Sequence, residues 1–414
     1  MRCPHFDSGA CRSCTLLDLP RPRQLAEGGA RVEQLLAGHL APGTVWAAPI
    51  VGPEAGFRAR GKMAVGGTAA APVLTLPGQS AGTDLCDCPL YPDGVEQILE
   101  GAKALIRRAQ VPPYDVARRR GEIKNVLVTA SPEGEYLLRL VLRSEQALDR
   151  LREHLPRLLE DHPSLVAITA NIHPEHTTAV EGEREIHLAG AASIAVRTGD
   201  VTLFARPQSF LQTNTEVAGQ LYRQAATWVG ELAAASGTDR SPDDDAGQGA
   251  SGDAGQGSLH GAGRDGALRL WDLYCGIGGF ALHLARALPD AQITGVEVSP
   301  QAIEGAREAA TAAGVTNTTF LADDATTWAI AEAAGAAGPP DIAVVNPPRR
   351  GLGRELAGWL ERSGVRDVIY SSCNPSTLAT DLAAMPSLRI VAGRYVDMFP
   401  HTAHAEVIVR LRRS

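Results

Sequence analysis

Three short stretches near the end of this 414-residue chain hold the side chains best able to make and break bonds. The run IYSSCNPS (369–376) brings Cys373 to the end of an apolar segment, beside Ser371, Ser372 and Asn374 and just before an Asn-Pro turn. An isolated cysteine is most often a small buried hydrophobe. One at a strand end among polar groups is suited to nucleophilic attack, although a free thiol titrates near about pH 8.5 and needs activation. The run DMFPHTAHAEVIVRL (397–411) sets His401, His404 and Glu406 just ahead of a closing strand. His-x-x-His-x-Glu is a conceivable metal spacing, yet no other unassigned ligand cluster accompanies it. Glu406 has a second reading, as a proton acceptor. In VVNPPRRG (344–351), two prolines stiffen the turn after another apolar run and leave Asn346 able to bond a ligand.

A fourth stretch, DLYCGIGGFALHLA (272–285), runs from an apolar segment through a Gly-rich turn into a helical pattern. Such a turn lets backbone approach a ligand, and the helix that follows presents free N–H groups. GIGGFA satisfies G-x-G-x-x-A, and Glu297 closes the next apolar run where a carboxylate accepts hydrogen bonds from ribose hydroxyls. NAD and S-adenosylmethionine both fit that pattern. Asp272 and Tyr274 favour the latter, whose amino-acid tail carries an ammonium that a carboxylate suits and which has no pyrophosphate to cradle. Asp324 has two readings, a contact to the adenine amino group and a helix N-cap.

These loops need a scaffold, and the chain is long enough for two or three domains. Up to about residue 200, short apolar runs bounded by Gly or Pro (NVLVTAS, YLLRLVLRS, LVAITANI, REIHLAG, VTLFARP) read as strands. Helical patterns lie near 22–37, 93–109 and 145–160, so the region is α+β. After a helix at 216–235 the elements alternate. LRLWDL, ITGVEV, TTFLA, DIAVVN and DVIYSS are strands, with helices at 280–288, 300–313, 325–336, 353–363 and 375–384. That alternation specifies a parallel, doubly wound α/β sheet. The expected division is 1–90, 91–205 and 206–414, with 234–266 a disordered acidic insert.

The net charge is −8. The insert holds six Asp and two Arg, about half of that deficit. Elsewhere FRARGKMAV (57–65) and VARRRGEIKNV (116–126) mix Arg and Lys with apolar residues, as phosphate-contacting surfaces do, and as solvated strand faces also do. No apolar run is long enough to span a bilayer, and the start lacks a secretory signal, so a cytoplasmic location is expected. In that compartment seven cysteines are ligands, nucleophiles or buried thiols rather than disulfides.

One reaction uses the whole set. Carbon 5 of uracil is a poor nucleophile; addition of a thiolate to C6 makes it an enolate carbon that can capture a methyl group, and a carboxylate must then remove the C5 proton. DLYCGIGGF, NPPRRG, SSCNP and FPHTAHAEV, in this order, resemble the RNA uracil-C5 methyltransferase family, and RPQSFLQTN (206–214) is similar to its segment leading into the catalytic domain. The resemblance implies a Rossmann-like methyltransferase domain preceded by an α+β RNA-binding domain. It implies Cys373 as nucleophile, Glu406 as proton acceptor, and S-adenosylmethionine contacts at Gln212, Tyr274, Glu297 and Asn346. Many members have Asp where Asn346 stands, and Gly279 replaces a family Asn.

CPHFDSGACRSC and DLCDCPLYP supply Cys3, Cys11, Cys14, Cys86 and Cys88. By spacing alone, four thiolates suit zinc and an iron–sulfur cluster equally. The resemblance implies a [4Fe–4S] cluster on Cys3, Cys11, Cys14 and Cys88, with Cys86 and Cys275 as bystanders. With NPPRRG, these motifs resemble the subgroup acting on 23S rRNA at uridine 747, implying a monomeric enzyme with an rRNA partner.

Overall fold

In the computed structural model, residues 1–77, 82–177, 179–238 and 267–414 are described. The expected insert lies outside them from residue 239 onwards; residues 234–238 complete the helix Thr215–Thr238. The chain forms two compact units. The first comprises Met1–Gln24, Val51–Ala218 and Met398–Ala403, and the second Leu25–Ile50, Gly219–Asp397 and His404–Ser414. This differs from the division expected along the sequence, because the cysteine-bearing region and the central region share one unit and 25–50 joins the other. No helix among the described residues is long and apolar enough to cross a membrane.

The second unit is built on an eight-stranded sheet. Its strands are β1 (Leu40–Ile50), β2 (Arg269–Leu273), β3 (Gln292–Glu297), β4 (Thr318–Ala322), β5 (Ile342–Val345), β6 (Asp367–Ser372), β7 (Leu388–Val396) and β8 (Glu406–Arg413). Their spatial order is β1-β7-β8-β6-β5-β2-β3-β4. From β2 to β6 every pairing is parallel, as the strand–helix alternation requires. The chain steps from β2 outwards through β3 to β4, then returns to β5 and β6 on the other side. That reversal places a crevice at the carboxyl ends of β2 and β5, where doubly wound sheets bind ligands. The sheet is not parallel throughout: β8 runs antiparallel to both β6 and β7. Strands β5 and β6 are buried at every position, which is why they read as unbroken apolar runs. Trp271 on β2 stacks on Trp359 at 5.8 Å and meets Trp328 edge-on at 4.7 Å.

The first unit carries a six-stranded sheet ordered Pro72–Thr75, Arg60–Gly67, Ile123–Ala130, Tyr136–Leu142, Leu165–Ile172, Arg184–Gly190. Helices Val95–Arg108 and Leu148–Asp161 contribute Ile98, Leu99, Leu105, Leu151 and Leu155 to the core it shares with Val126, Leu138 and Leu140. Arg139 sits on a strand buried at every position and is itself 1 % exposed. A buried guanidinium needs compensation. Arg139 has it: Nε donates to Glu185 at 2.9 Å, one terminal nitrogen to Glu185 at 2.6 Å and the other to Glu181. Thr169 and Asn171 donate to the same Glu185 carboxylate.

Removing the cation from this network strands a largely buried carboxylate. Arg139→Met therefore lowers stability by about 3 kcal/mol. The check is the urea midpoint, which falls if the network holds the sheet and stays put if it does not.

Candidate active site

β6 delivers Cys373 to the carboxyl edge of the sheet, and the helix Pro375–Ala383 begins directly after Asn374. Proline at the first helical position ends the strand sharply without losing a needed N–H. The turn is tied from both sides. Asn374 Nδ2 donates to the Arg349 carbonyl at 3.0 Å, and Thr377 donates to the same oxygen at 3.2 Å. Asp381 forms a second tie. One of its carboxylate oxygens accepts from the Tyr370 hydroxyl at 2.6 Å and from the Leu352 amide at 2.8 Å. The loop 346–352 and the Cys373 turn are thus held together by a buried carboxylate and one carbonyl.

Glu406 opens β8. In the register of the two strands Ser372 faces Val407 and Ser371 faces Ile408, so the carboxylate lies at the same edge as Cys373. Glu406 is 1 % exposed. Oε1 accepts the Ser371 hydroxyl at 2.7 Å, while Oε2 is buried with no hydrogen-bond partner. Burial pushes this carboxyl up to about 7, against the Ser371 hydrogen bond, which draws it down. The Cys373 thiol is also raised, first by burial and then by Glu406, with Arg349 drawing it back. The Glu406 carboxylate thus makes the thiol harder to ionise.

The Gly-rich loop follows β2. Tyr274 is left-handed (φ 64°), as are Gly276 (55°) and Gly278 (85°). A Cβ at Gly279 would lie 2.4 Å from the Tyr222 ring, so the space a side chain would take there is filled by a tyrosine from another helix. Asp272 is fully buried; one oxygen accepts the Ala281 amide at 2.9 Å and the other has no partner. Burial raises it to about 8. Glu297 ends β3, half-buried, accepting the Gly276 amide at 3.3 Å and the Ser299 amide at 3.1 Å. Asn346 follows β5, its amide bonded to the Leu273 carbonyl. Asp324 caps its helix, accepting the Thr327 amide at 2.9 Å, the N-cap reading of the two.

The second unit therefore brings Cys373, Glu406, Tyr274, Glu297 and Asn346 to one edge of one sheet. Gln212 belongs to the first unit, where it is 6 % exposed. Its segment is pinned there: Arg60 donates to the Ser209 carbonyl at 2.6 Å and Ala59 to the Thr213 carbonyl at 2.7 Å. That commits Arg60 internally, and Lys62 pairs with Glu181 at 2.9 Å, so the 57–65 stretch is a strand stitched into its own unit more than an open phosphate-contacting face. His401 is no metal ligand beside Glu406. It lies in the first unit, with Nε2 bonded to the Glu54 carbonyl at 2.8 Å and Nδ1 3.4 Å from the Gln24 amide nitrogen.

Cys3, Cys11, Cys14 and Cys88 line one pocket of the first unit with Phe6, Leu76 and Tyr91, and Cys86 is absent from its walls. Burial, with the other three thiols, pushes Cys14 up to about 11. Cys86 belongs to the sheet core. Among the described residues, the potential metal-ligand atoms lying within 4.8 Å of one another are those of Asp84, Cys86 and Glu100. Lys103 already pairs with both carboxylates, at 2.6 and 2.7 Å.

The chain was compared with known proteins. The family model described as tRNA (Uracil-5-)-methyltransferase matches residues 261–414. The 23S rRNA (uracil(747)-C(5))-methyltransferase of Shigella boydii serotype 4 is 42 % identical over 99 % of both chains. The protein of that name from Escherichia coli O9:H4 matches to the same extent. The chain belongs to the RNA uracil-C5 methyltransferase family. In fold it is also similar to a Pyrococcus abyssi tRNA (uracil-54, C5)-methyltransferase solved with S-adenosyl-L-homocysteine, with a TM-score of 0.70 and 21 % identity over 96 % of this chain and 85 % of that one.

Sequence reasoning about this uracil methyltransferase missed Arg349 as the cation beside the thiol, Asp381 as the tie between loops, and Tyr222 beneath the Gly-rich turn. Only Arg349 carried a signal, sitting in the NPPRRG motif itself. Asp381→Ala strands two buried donors, at about 1–3 kcal/mol each. Chemical denaturation should show that loss, and methyl transfer should fall with it; full stability in the variant would show the two loops are held some other way.

Proposed function

We propose that this chain transfers a methyl group from S-adenosylmethionine to C5 of uridine 747 in 23S rRNA, acting in the cytoplasm as a monomer. The observation that carries the reading is the pairing of Cys373 with Glu406, a thiol and an otherwise unpartnered carboxylate oxygen on neighbouring strand ends. Close relatives named for that reaction support the choice of substrate.

Bound S-adenosylmethionine supplies an electrophilic methyl group. Within the second unit Tyr274, Glu297 and Asn346 hold it, Glu297 through ribose hydroxyls. Arg349 and the start of the following helix favour the Cys373 thiolate, which attacks C6 of the uracil. The S–C6 bond forms and the C5–C6 π electrons move into an enolate. C5 then takes the methyl group as the methyl–sulfonium bond breaks. Glu406 removes the C5 proton, the C5–C6 double bond returns, and Cys373 leaves as thiolate. A base near pKa 7 is well matched to that proton.

Cys3, Cys11, Cys14 and Cys88 hold a [4Fe–4S] cluster in this reading, as an element that orders the first unit and takes no part in methyl transfer. A single tetrahedral zinc, with Zn–S of about 2.3 Å, would need its sulfurs about 3.8 Å apart. No three of these four sulfurs form such a close group. The wider pocket with Phe6, Leu76, Leu85 and Tyr91 suits a larger inorganic core. Anaerobically purified protein should be brown and carry about four irons per chain; colourless protein with one zinc overturns this part.

RNA bearing 5-fluorouridine cannot lose its C5 substituent as a proton, so it should trap the enzyme covalently. Cys373→Ala abolishes both the adduct and methylation. Glu406→Gln forms adduct on ordinary RNA but turns over at least about a hundredfold more slowly, since general bases contribute on that scale. If the glutamine variant methylates at the normal rate, the carboxylate has another task.

The pH profile follows from the raised carboxyl. Glu406 is a base only when ionised, so adduct resolution should rise with pH up to about 7 and then level off. Ser371→Ala removes the hydrogen bond that favours the ionised form, so the inflection should move to higher pH. Stopped-flow measurement of adduct decay across pH 5–9 checks both, and an inflection unmoved in Ser371→Ala argues against Glu406 as the titrating group.

A further inference from the structure

Most cations of the first unit are spoken for. Arg60 donates to carbonyls, Lys62 and Arg139 meet Glu181 and Glu185, Arg143 meets Glu122, Arg184 meets Glu145 and Arg197 meets Glu133. The loop between Pro113 and Gly121 is different. Residues 116–120, Val-Ala-Arg-Arg-Arg, are all exposed, with the Arg118 side chain 81 % exposed and Val116 65 % exposed. One carboxylate faces this triplet, Asp115, 3.5 Å from Arg118. The side chains of Arg119 and Arg120 have no ion pair or hydrogen bond among the described residues.

The loop is shaped, not loose. Asp115 and Arg120 exchange backbone hydrogen bonds at 2.7 and 3.4 Å, and the Asp115 carboxylate accepts the Arg118 amide at 2.9 Å. Arg119 is held left-handed (φ 51°), an unfavourable conformation for a long side chain. At the base, Lys124 lies 4.8 Å over the Tyr114 ring and donates to the Glu175 carbonyl, and Tyr114 bonds His176. Three consecutive guanidinium groups repel one another, and a strained turn adds to that cost. The repulsion is relieved by a ligand with closely repeated negative charges, and the fully exposed part of the loop offers little apolar surface, only Val116 and Ala117. A nucleic-acid backbone has that form.

We propose that the loop 113–121 is a docking point for the phosphate backbone of the RNA substrate, with Arg118, Arg119 and Arg120 as its contacts. This rests on the reading of the substrate as RNA, and goes beyond it by assigning affinity to a place distinct from Cys373 and Glu406. Such contacts position the RNA without reading its sequence.

The test pairs Arg119→Glu/Arg120→Glu with Arg119→Lys/Arg120→Lys, using a 23S rRNA fragment containing the target uridine. Fluorescence anisotropy over a salt series gives Kd and its salt slope. In the Glu variant Kd should rise about tenfold or more, and the slope should fall by about 1.4, roughly 0.7 for each lost contact to unpaired RNA. The Lys variant should keep near-normal values, and both should bind S-adenosylmethionine and melt as the unchanged protein does. Unchanged Kd and slope in the Glu variant overturn the proposal. So does an equal loss in the Lys variant, which would make loop shape the determinant instead of charge. Failure of the unchanged protein to trap on 5-fluorouridine RNA would count against the proposed reaction, not against the dock, which is judged on binding alone.

Discussion

The proposed chemistry depends on one antiparallel pairing, that of β6 with β8. Their register sets the strand end carrying Cys373 against the strand start carrying Glu406, and the Ser371–Glu406 hydrogen bond locks that alignment. A shift of one residue would turn Glu406 to the other face of the sheet. Cys373 and Glu406 come from places 33 positions apart, yet their separation is set by backbone hydrogen bonds. This is a stiffer way to place two reacting groups than hanging them on mobile loops.

Burial gives the site its acid–base character. Neither acid has a full counter-charge, so burial raises both, and the Glu406 carboxylate further disfavours ionisation of the Cys373 thiol. Asp272, unpartnered on one oxygen, is raised for the same reason. Acids that ionise with difficulty suit the proposed reaction, in which a thiolate adduct forms and is discharged in turn. Arg349 is the counterweight, and the carbonyl of the same residue anchors the Asn374 turn. One loop residue thereby contributes both geometry and charge.

Much of this was legible in the chain because buried parallel strands write themselves as unbroken apolar runs. The five helices after β2 to β6 lie within three residues of where periodicity put them. Strands Leu40–Ile50 and Leu388–Val396 were invisible for a physical reason. Pro42, Gly43 and Pro49 interrupt the first, which is an edge strand, and Gly393 interrupts the second where Trp46 needs the room. The 57–65 stretch was left open between two readings because composition cannot say whether an arginine faces water or a carbonyl. Its period-two burial, with Gly61, Met63 and Val65 inward, is the signal that marks it as a strand. The loop ties through Asp381 and the closeness of Tyr222 to Gly279 depend on packing between distant segments, which local pattern does not encode.

The first unit is completed by residues 398–403, where the Leu16 amide bonds the His401 carbonyl and the His401 ring bonds the Glu54 carbonyl. His401 leaves the ribosome 347 residues after Glu54 and 385 after Leu16. The amino-terminal unit therefore cannot finish assembling while the chain is being made, however early its strands pair. A nascent or prematurely terminated polypeptide lacks that last segment, so a product cut short before it loses Glu406 and also leaves the cysteine-bearing unit unsealed.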